Sequence, residues 1–311
     1  VASSQEASAA GDPAALAASA DPGAVARWAE AAWPQAVMPG ALHVVSTPIG
    51  HLGDITLRAL AVLHQAAVVY CEDTRHARAL LDRYAITTPT QALHEHNEAQ
   101  VAPRLLRQLA AGEAVALISD AGTPLVSDPG ARVVEAVVAA GYRVVPVPGP
   151  SAVLAALVAS GLSPLPFTAL GFLARKGRER QDQLAQAAAL PHTVVLFEAP
   201  GRVADTLRDL AEVAGPGRQV VVARELTKHF EEFRRGTLAD VAAYAEEVPP
   251  RGEVVVVLGG APPPDAPTEA ALAAVAAAMR ADGVPPRELQ QRLVEQHGAS
   301  RNLAYRLAHA R

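Results

Sequence analysis

From Leu42 onward, short uninterrupted apolar runs alternate with amphipathic stretches. LHVV (42–45), AVVYC (67–71), AVALI (114–118) and YRVVPV (142–147) read as strands. Between them, ITLRALAVLHQA (55–66) and ARVVEAVVAAG (131–141) carry helical spacing, the second closed by Gly141 in C-cap position. Apolar strands separated by helices describe a parallel sheet covered on both faces. The pattern predicts an open α/β domain over 41–163. Beyond the Pro-containing turn GLSPLPF (161–167), strands are expected at 193–198, 219–225 and 253–260, with a helix at 201–214. This forms a second α/β domain, 164–260. Residues 261–268 are a stiff Pro-rich linker, and 269–311 read as two or three helices. Residues 1–40 are Ala-rich without clear alternation. They are read as a disordered or weakly helical extension anchored by Trp28 and Trp33.

Composition narrows the picture. Half the residues are apolar and only 4% aromatic, so the cores are built from Ala, Val and Leu. The single cysteine, Cys71, excludes an intrachain disulfide framework and a Cys-based zinc site, and no metal is expected. No uncharged apolar run reaches the roughly 18 residues of a spanning helix, and no basic n-region precedes an apolar core. A cytoplasmic protein without a membrane partner is expected; the start at Val1 rather than Met suggests a truncated or misassigned beginning. A net charge of −5 argues against a wholesale nucleic-acid coat, but its distribution is uneven. Arg and Lys gather at 175–180 and 224–235, and 269–311 hold six Arg against four acids. Local basic segments of this kind suit one structured RNA site.

The unusual residues fall at strand ends. LHVV runs into STPIGHLGD (46–54), AVVYC into EDTRH (72–76), AVALI into SDAGTPLVSDPG (119–130), and YRVVPV into PGPSA (148–152). Open α/β sheets bind ligands outside the carboxyl ends of their strands, so four such loops suggest a cofactor cleft. Gly and Pro also merely punctuate turns, but the twelve residues of 119–130 exceed what one turn requires. No G-x-G-x-x-G and no P-loop occurs, which disfavours a dinucleotide or an oxidoreductase. Instead the rim offers Asp54, Glu72, Asp73, Asp120 and Asp128, which suit hydroxyls and ammonium groups. S-adenosylmethionine fits that description. Asp54 and Asp128 are expected mainly to cap helices, leaving Asp120 as the better ligand contact.

Three further segments carry chemistry or charge. ALHEHNE (92–98) sets His94 and His96 two apart; without a third ligand, a polar loop lining a cleft is the better reading. FLARKGRERQDQL (172–184) brings Arg175, Lys176, Arg178 and Arg180 close together, as a solvated helix start or an anion site. In ARELTKHFEEFRRG (223–236), Arg224 and Glu225 can pair, while Lys228, Arg234 and Arg235 can touch phosphate.

Together TPIGHLGDIT (47–56), EDTRHARALL (72–81), HEHNE (94–98), SDAGTPLVSDPG (119–130), VPVPGPSA (145–152), GFLARKG (171–177), ARELTK (223–228) and RGEVVVVLGG (251–260) resemble the tetrapyrrole methylase-like superfamily. The resemblance is closest to its ribosomal RNA branch and runs from about Leu42 through HGASRNLAYRLA (297–308). Three positions depart from that pattern. His51 stands where Asn is usual, Ala174 where Pro is usual, and Gly201 replaces a His, removing any catalytic role for that His.

The resemblance implies two α/β domains with a cofactor cleft between them, a small C-terminal helical segment, and a homodimer. It implies S-adenosylmethionine-dependent 2′-O-methylation of a cytidine ribose in 16S rRNA of the small ribosomal subunit, in the decoding region. Carbon methylation of a porphyrin- or corrin-like ring is one alternative, and a non-catalytic rRNA-binding assembly protein another. Cofactor contacts are expected from Pro48, Ile49, Gly50, Asp120, Ala121, Gly122, Thr123, Ser151 and Ala152. Catalytic candidates are Glu72, Asp73, Arg75 and Lys228, with His94, His96 and Glu225 also weighed. RNA contacts are expected from Arg175, Lys176, Arg178, Arg234, Arg235, Arg301 and Arg306. Methyl transfer from a sulfonium is an in-line displacement, so alignment of the hydroxyl dominates, and a positioned base adds roughly 10²–10⁴-fold.

Overall fold

The computed structural model describes residues 22–263 and 267–309. The chain divides into two units, Val1–Ala261 and Pro262–Arg311.

The first unit holds two five-stranded sheets. Strands β1 (Ala41–Val45), β2 (Val68–Cys71), β3 (Thr90–Ala92), β4 (Val115–Ile118) and β5 (Arg143–Val147) form one, in the order β3-β2-β4-β1-β5. All its pairings are parallel. The crossover helices are α2 (Leu57–Gln65), α3 (Thr74–Arg83), α4 (Glu98–Ala110) and α5 (Ala131–Ala139), with α1 (Pro22–Ala32) preceding the sheet. Successive side chains enter opposite cores, which is why these strands read as continuous apolar runs. Val45, Val69, Ala116 and Ile118 pack with α1, α2 and α3. Leu42, Val68, Tyr70, Val115 and Leu117 pack with α4 and α5. His43 is buried too, accepting at Nε2 from the Met38 amide (3.1 Å) with Nδ1 3.3 Å from the Val115 carbonyl. Burial holds its pKa down, consistent with a neutral ring.

Two expected caps are corrected. Thr56, not Asp54, caps α2, its hydroxyl accepting from the Ala59 amide. Asp128 does not cap α5. The left-handed Gly130 occupies that position, and the buried Glu98 carboxylate of α4 accepts from the Gly130 and Arg132 amides at 3.1 and 3.0 Å. Of the two readings of the N-terminal extension, disordered or weakly helical, residues 22–40 follow the second. Helix α1 buries Ala26 and Ala29, Trp28 meets Trp33 edge-on, and Gln65 binds the backbone of Trp33 and Ala36. Small alanines allow that close packing. Residues 1–21 lie outside the described residues.

The second sheet has β6 (Phe167–Phe172), β7 (Thr193–Glu198), β8 (Gln219–Arg224), β9 (Glu232–Thr237) and β10 (Val254–Leu258), in the order β6-β7-β10-β8-β9. Only β6–β7 is parallel. Helices α7 (Gly177–Ala189), α8 (Val203–Ala214) and α9 (Leu238–Glu247) cover one face. Helix α6 (Ala152–Ser160), inside the expected first domain, packs Val153, Ala156 and Leu157 on the other face with Val195, Val221 and Val257.

The second unit comprises α10 (Glu269–Ala281), α11 (Pro286–Glu295) and α12 (Arg301–His309) around Leu272, Ala276, Leu289, Leu293, Ala304 and Ala308. Thr268 caps α10, and Arg306 pairs with Glu269 at 3.1 Å.

Candidate functional site

In the first sheet β1 and β4 are neighbours whose connections leave in opposite directions, one toward β2 and the other toward β5. That switch point opens a crevice at their carboxyl ends. Their two loops are tied across it. Thr47 and Gly122 exchange both backbone hydrogen bonds, at 2.9 and 3.1 Å. The Thr47 hydroxyl reaches the Ser119 carbonyl at 3.2 Å, and Thr123 Oγ1 donates to the Pro150 carbonyl at 3.0 Å. Gly122 has φ +82°, and a Cβ there would come within 3.1 Å of Ile49. Leu125 and Ser127 also adopt left-handed backbone in the 119–130 loop, the kind of strain that collects at binding sites.

The second sheet supplies the opposite wall. Its antiparallel register sets Val254, at the start of β10, beside Glu198 and Arg224, at the ends of β7 and β8. A cavity of about 420 Å³ lies between the two sheets, lined by Ile49, Asp120–Thr123, Val126–Asp128 and Ser151–Val153 from the first side, and by Phe172, Phe197–Pro200 and Gly252–Val255 from the second. Seven of the expected cofactor residues line it: Ile49, Asp120, Ala121, Gly122, Thr123, Ser151 and Ala152. Pro48 and Gly50 do not. Gly50 instead docks on the ELTK loop, where a Cβ would overlap Lys228, Thr227 and the Leu226 carbonyl. His51 follows it, its amide donating to Thr227 Oγ1 (3.0 Å) and its Nδ1 accepting from Gly53 (3.1 Å). An Asn side chain could serve the same acceptor role, which explains the exchange at this position.

The carboxylates gather on the first side. Asp73 Oδ1 caps α3 by accepting from Arg75 N (2.8 Å) and pairs with the Arg75 guanidinium, which holds its carboxyl below the usual range. Its amide donates to Asp120 Oδ1. Burial, with Asp120 and Glu95 nearby, raises the Glu72 pKa. Burial together with Glu72 and Asp120 pushes Asp128 up to about 6. Burial first, then Asp120 and Asp73, pushes the Cys71 thiol to about 12, which leaves it inert. Asn97 braces the neighbouring HEHNE loop by accepting from the His94 amide and donating to Ala92. Among the described residues no group of three or more His, Cys, Asp or Glu is placed to hold a metal.

On the second side Glu225 and Thr227 have left-handed φ of 51° and 64°. Lys228 Nζ lies 2.9 Å from Glu225 and 3.1 Å from Glu253. Burial acts to lower the Lys228 pKa, but those hydrogen bonds and charges outweigh it and raise it, while the Lys228 bond lowers that of Glu225. Lys228 is therefore a held cation rather than a free base. Glu198, wholly buried, accepts from Thr206 Oγ1 (2.6 Å) and the Ala199 amide (2.8 Å) and faces Arg202 at 3.4 Å. Thr206 in turn accepts from Arg180, which is paired with Asp209 at 2.6 Å.

The expected basic residues divide. Arg175, Lys176 and Arg178 are exposed. Arg175 and Arg202 line a groove that shares Phe172 and Ala199 with the cavity. Arg180 belongs to the buried network just described. Arg235 donates to the Ala159 and Ser160 carbonyls, clamping the end of α6. Arg234 lies over the Tyr244 ring at 3.6 Å. In the second unit Arg301 is exposed and Arg306 half-occupied by Glu269. Sequence reasoning missed Phe172, Phe197, Glu198 and Gly252–Val255, and placed Asp128 in a cap. Their signal lay in the strand ends EAP and RGE, legible only once β7 and β10 are paired.

The sequence profile of the Tetrapyrrole (Corrin/Porphyrin) Methylases matches residues 41–242. A protein of Mesorhizobium japonicum named ribosomal RNA small subunit methyltransferase I is 53% identical over 69% of this chain and 74% of its own length. Its namesake in Xylella fastidiosa is 45% identical, covering 86% of this chain and 98% of the relative. Among solved structures, the methyltransferase CobJ superposes with a TM-score of 0.54 at 25% identity, over 71% of this chain and 95% of that one. A Thermus thermophilus uroporphyrin-III C-methyltransferase, solved with S-adenosyl homocysteine, gives 0.51 at 24% identity over 70% and 97%. That second likeness speaks to the fold.

Proposed function

The chain belongs to the tetrapyrrole methylase family, and from that membership and its cleft we propose that it transfers methyl groups from S-adenosylmethionine to a ribose 2′-oxygen of a cytidine in 16S rRNA. The observation that carries this reading is the cavity joined to an arginine-bearing groove through Phe172 and Ala199. The names of relatives at 45–53% identity set the substrate class as small-subunit ribosomal RNA.

The residues present suit the cofactor. The cavity is of small-ligand size, and its small side chains at Ala121, Gly122 and Ala152 let backbone approach an adenine or methionyl group closely. Ser151 caps α6 by accepting from the Leu154 amide, so a carboxylate finds the other first-turn amides and a favourable dipole there. Asp120 and Asp128 answer positive charge and hydroxyls, and the Phe172–Phe197 pair, with centroids 5.4 Å apart, offers an aromatic wall. Bound S-adenosylmethionine supplies an electrophilic methyl on a positively charged sulfur.

This chain's own part is alignment and proton handling. Glu72, with its pKa raised, is the proposed base for the ribose hydroxyl. Asp73 and Arg75 hold the start of α3 and so fix the position of Glu72. Lys228, kept cationic by Glu225 and Glu253, orients the substrate through a phosphate or hydroxyl. Arg175, Lys176 and Arg178 supply exposed positive charge for RNA, as do Arg301 and Arg306 in the second unit. A homodimer is proposed from the exposed apolar face of α6, where Val158 is 75% and Leu154 51% exposed one turn apart. No helix among the described residues is long and apolar enough to cross a membrane, and we place the protein in the cytoplasm with its RNA.

Methylation of small-subunit particles with labelled cofactor, followed by mapping, tests the reading. Label is expected on one cytidine ribose, and Glu72→Ala or Lys228→Ala should lower turnover by roughly 10²-fold or more. Label on a base carbon, or transfer only to a porphyrin ring, overturns the 2′-O assignment. Unchanged turnover in either variant removes that residue from the mechanism.

A further inference from the structure

A second cavity lies on the α9 face of the second sheet, where Val222 packs with Val241 and Ala245. Its volume is about 390 Å³, and Arg224, Arg234, Arg251, Glu232, Glu247 and Tyr244 line it with apolar residues and Pro249–Pro250. We propose that this cavity is a nucleotide subsite for the substrate RNA, holding a residue of the strand beyond the target ribose. The proposal rests on the RNA reading above.

Three guanidiniums face two carboxylates, and one carboxylate is shared. Glu232 pairs with Arg224 at 2.7 Å and with Arg234 at 3.6 Å. Arg251 has no hydrogen bond or ion pair among the described residues, and Arg234 Nε is buried without a hydrogen-bond partner. A phosphate oxygen is the acceptor such donors lack, and guanidinium forks match it bidentately. Arg234 stacked on Tyr244 makes a flat platform of the kind on which an unpaired base stacks. Position supports the strand's path. Arg251 precedes Gly252 and Glu253, which line the cofactor cavity, and Arg224 precedes Glu225, which holds Lys228. Each of these arginines is thus one residue along the chain from the cofactor cavity wall or the Lys228 network. The scarcity of aromatics fits a single stacked base rather than an extended platform.

The test measures binding of 16S rRNA and of small-subunit particles to the whole protein, with S-adenosylhomocysteine present, across a salt series. Arg251→Gln removes an exposed side chain with no partner to orphan, so it reads binding without a folding defect. Its affinity should fall about tenfold, with the salt slope reduced by about one, and Arg251→Glu should fall further. Arg234→Gln should weaken binding without changing cofactor affinity by calorimetry. Wild-type RNA affinity and salt slope in both Arg251 variants overturn the subsite and leave the methyltransferase reading standing. Wild-type protein that binds cofactor but neither RNA form overturns both.

Discussion

In the first sheet all strands run the same way, so every loop that follows a strand reaches one edge; in the second β6, β7 and β8 run one way and β10 and β9 the other, so the facing edge is built from the ends of β7 and β8 with the beginning of β10. The two walls of the cavity differ accordingly. The first is largely backbone: Thr47 bonds Gly122, Thr123 bonds Pro150, and the side chains facing the cavity are mostly small. The second is held by charge, through Glu198–Thr206–Arg180–Asp209 and Glu225–Lys228–Glu253. A wall made of close backbone has no room for added atoms. A wall made of buried charge cannot lose a partner. The two should therefore fail in opposite ways.

Removing a partner from the second wall should give the largest effect. Glu198→Ala takes the acceptor from Thr206 and the Ala199 amide and the counter-charge from Arg202 in a buried site, and should cost about 3–5 kcal/mol of stability. Glu198→Gln, which keeps an acceptor but no charge, should cost less. Urea midpoints measure both. An alanine variant as stable as wild type would mean that this wall is held by packing alone.

Adding atoms to the first wall should come next. Gly122→Val forces a branched side chain onto a backbone at φ +82° and against Ile49, closing the Thr47 side of the cavity. Cofactor affinity should fall at least about a hundredfold, or roughly 2.7 kcal/mol, by calorimetry. Gly122→Ala should show a smaller loss. If valine is tolerated, the cofactor does not lie against this loop.

The same contrast explains what the sequence made legible. β1, β2, β4 and β5 announced themselves because burial on both faces leaves no polar position, and the parallel arrangement made the loops after them one site. β9 did not. EFRRGT is a polar edge strand recognisable only by its pairing with β8, where Arg224 stands opposite Glu232. β3 is three residues long, and β6 is broken by the irregularity between Ala169 and Gly171. Glu198 and Gly252 were unread as one wall because antiparallel pairing joins the end of one segment to the start of another. Asp128 was misplaced for a different reason. Its position before Pro-Gly suggested a local cap, whereas the cap came from Glu98, thirty-odd residues away.

Asp128 also supplies the smallest and most discriminating test, because with Asp120 it puts charge on a wall held mainly by backbone. Its pKa of about 6 exceeds the ordinary 3.8, so the folded state holds the proton more tightly than the unfolded state does. Stability from this group is thus complete below about pH 3.8 and is lost as pH rises through about 6. Asp128→Asn mimics the protonated form at every pH. It should therefore stabilise the cofactor-free protein at pH 8 by on the order of 1 kcal/mol, allowing for partial exposure, and do almost nothing at pH 4. Thermal unfolding at the two pH values reads the difference directly. The opposite sign at pH 8 would show that the carboxylate is held by a partner as Glu198 is, and the division between a backbone wall and a charged wall would fail at this residue.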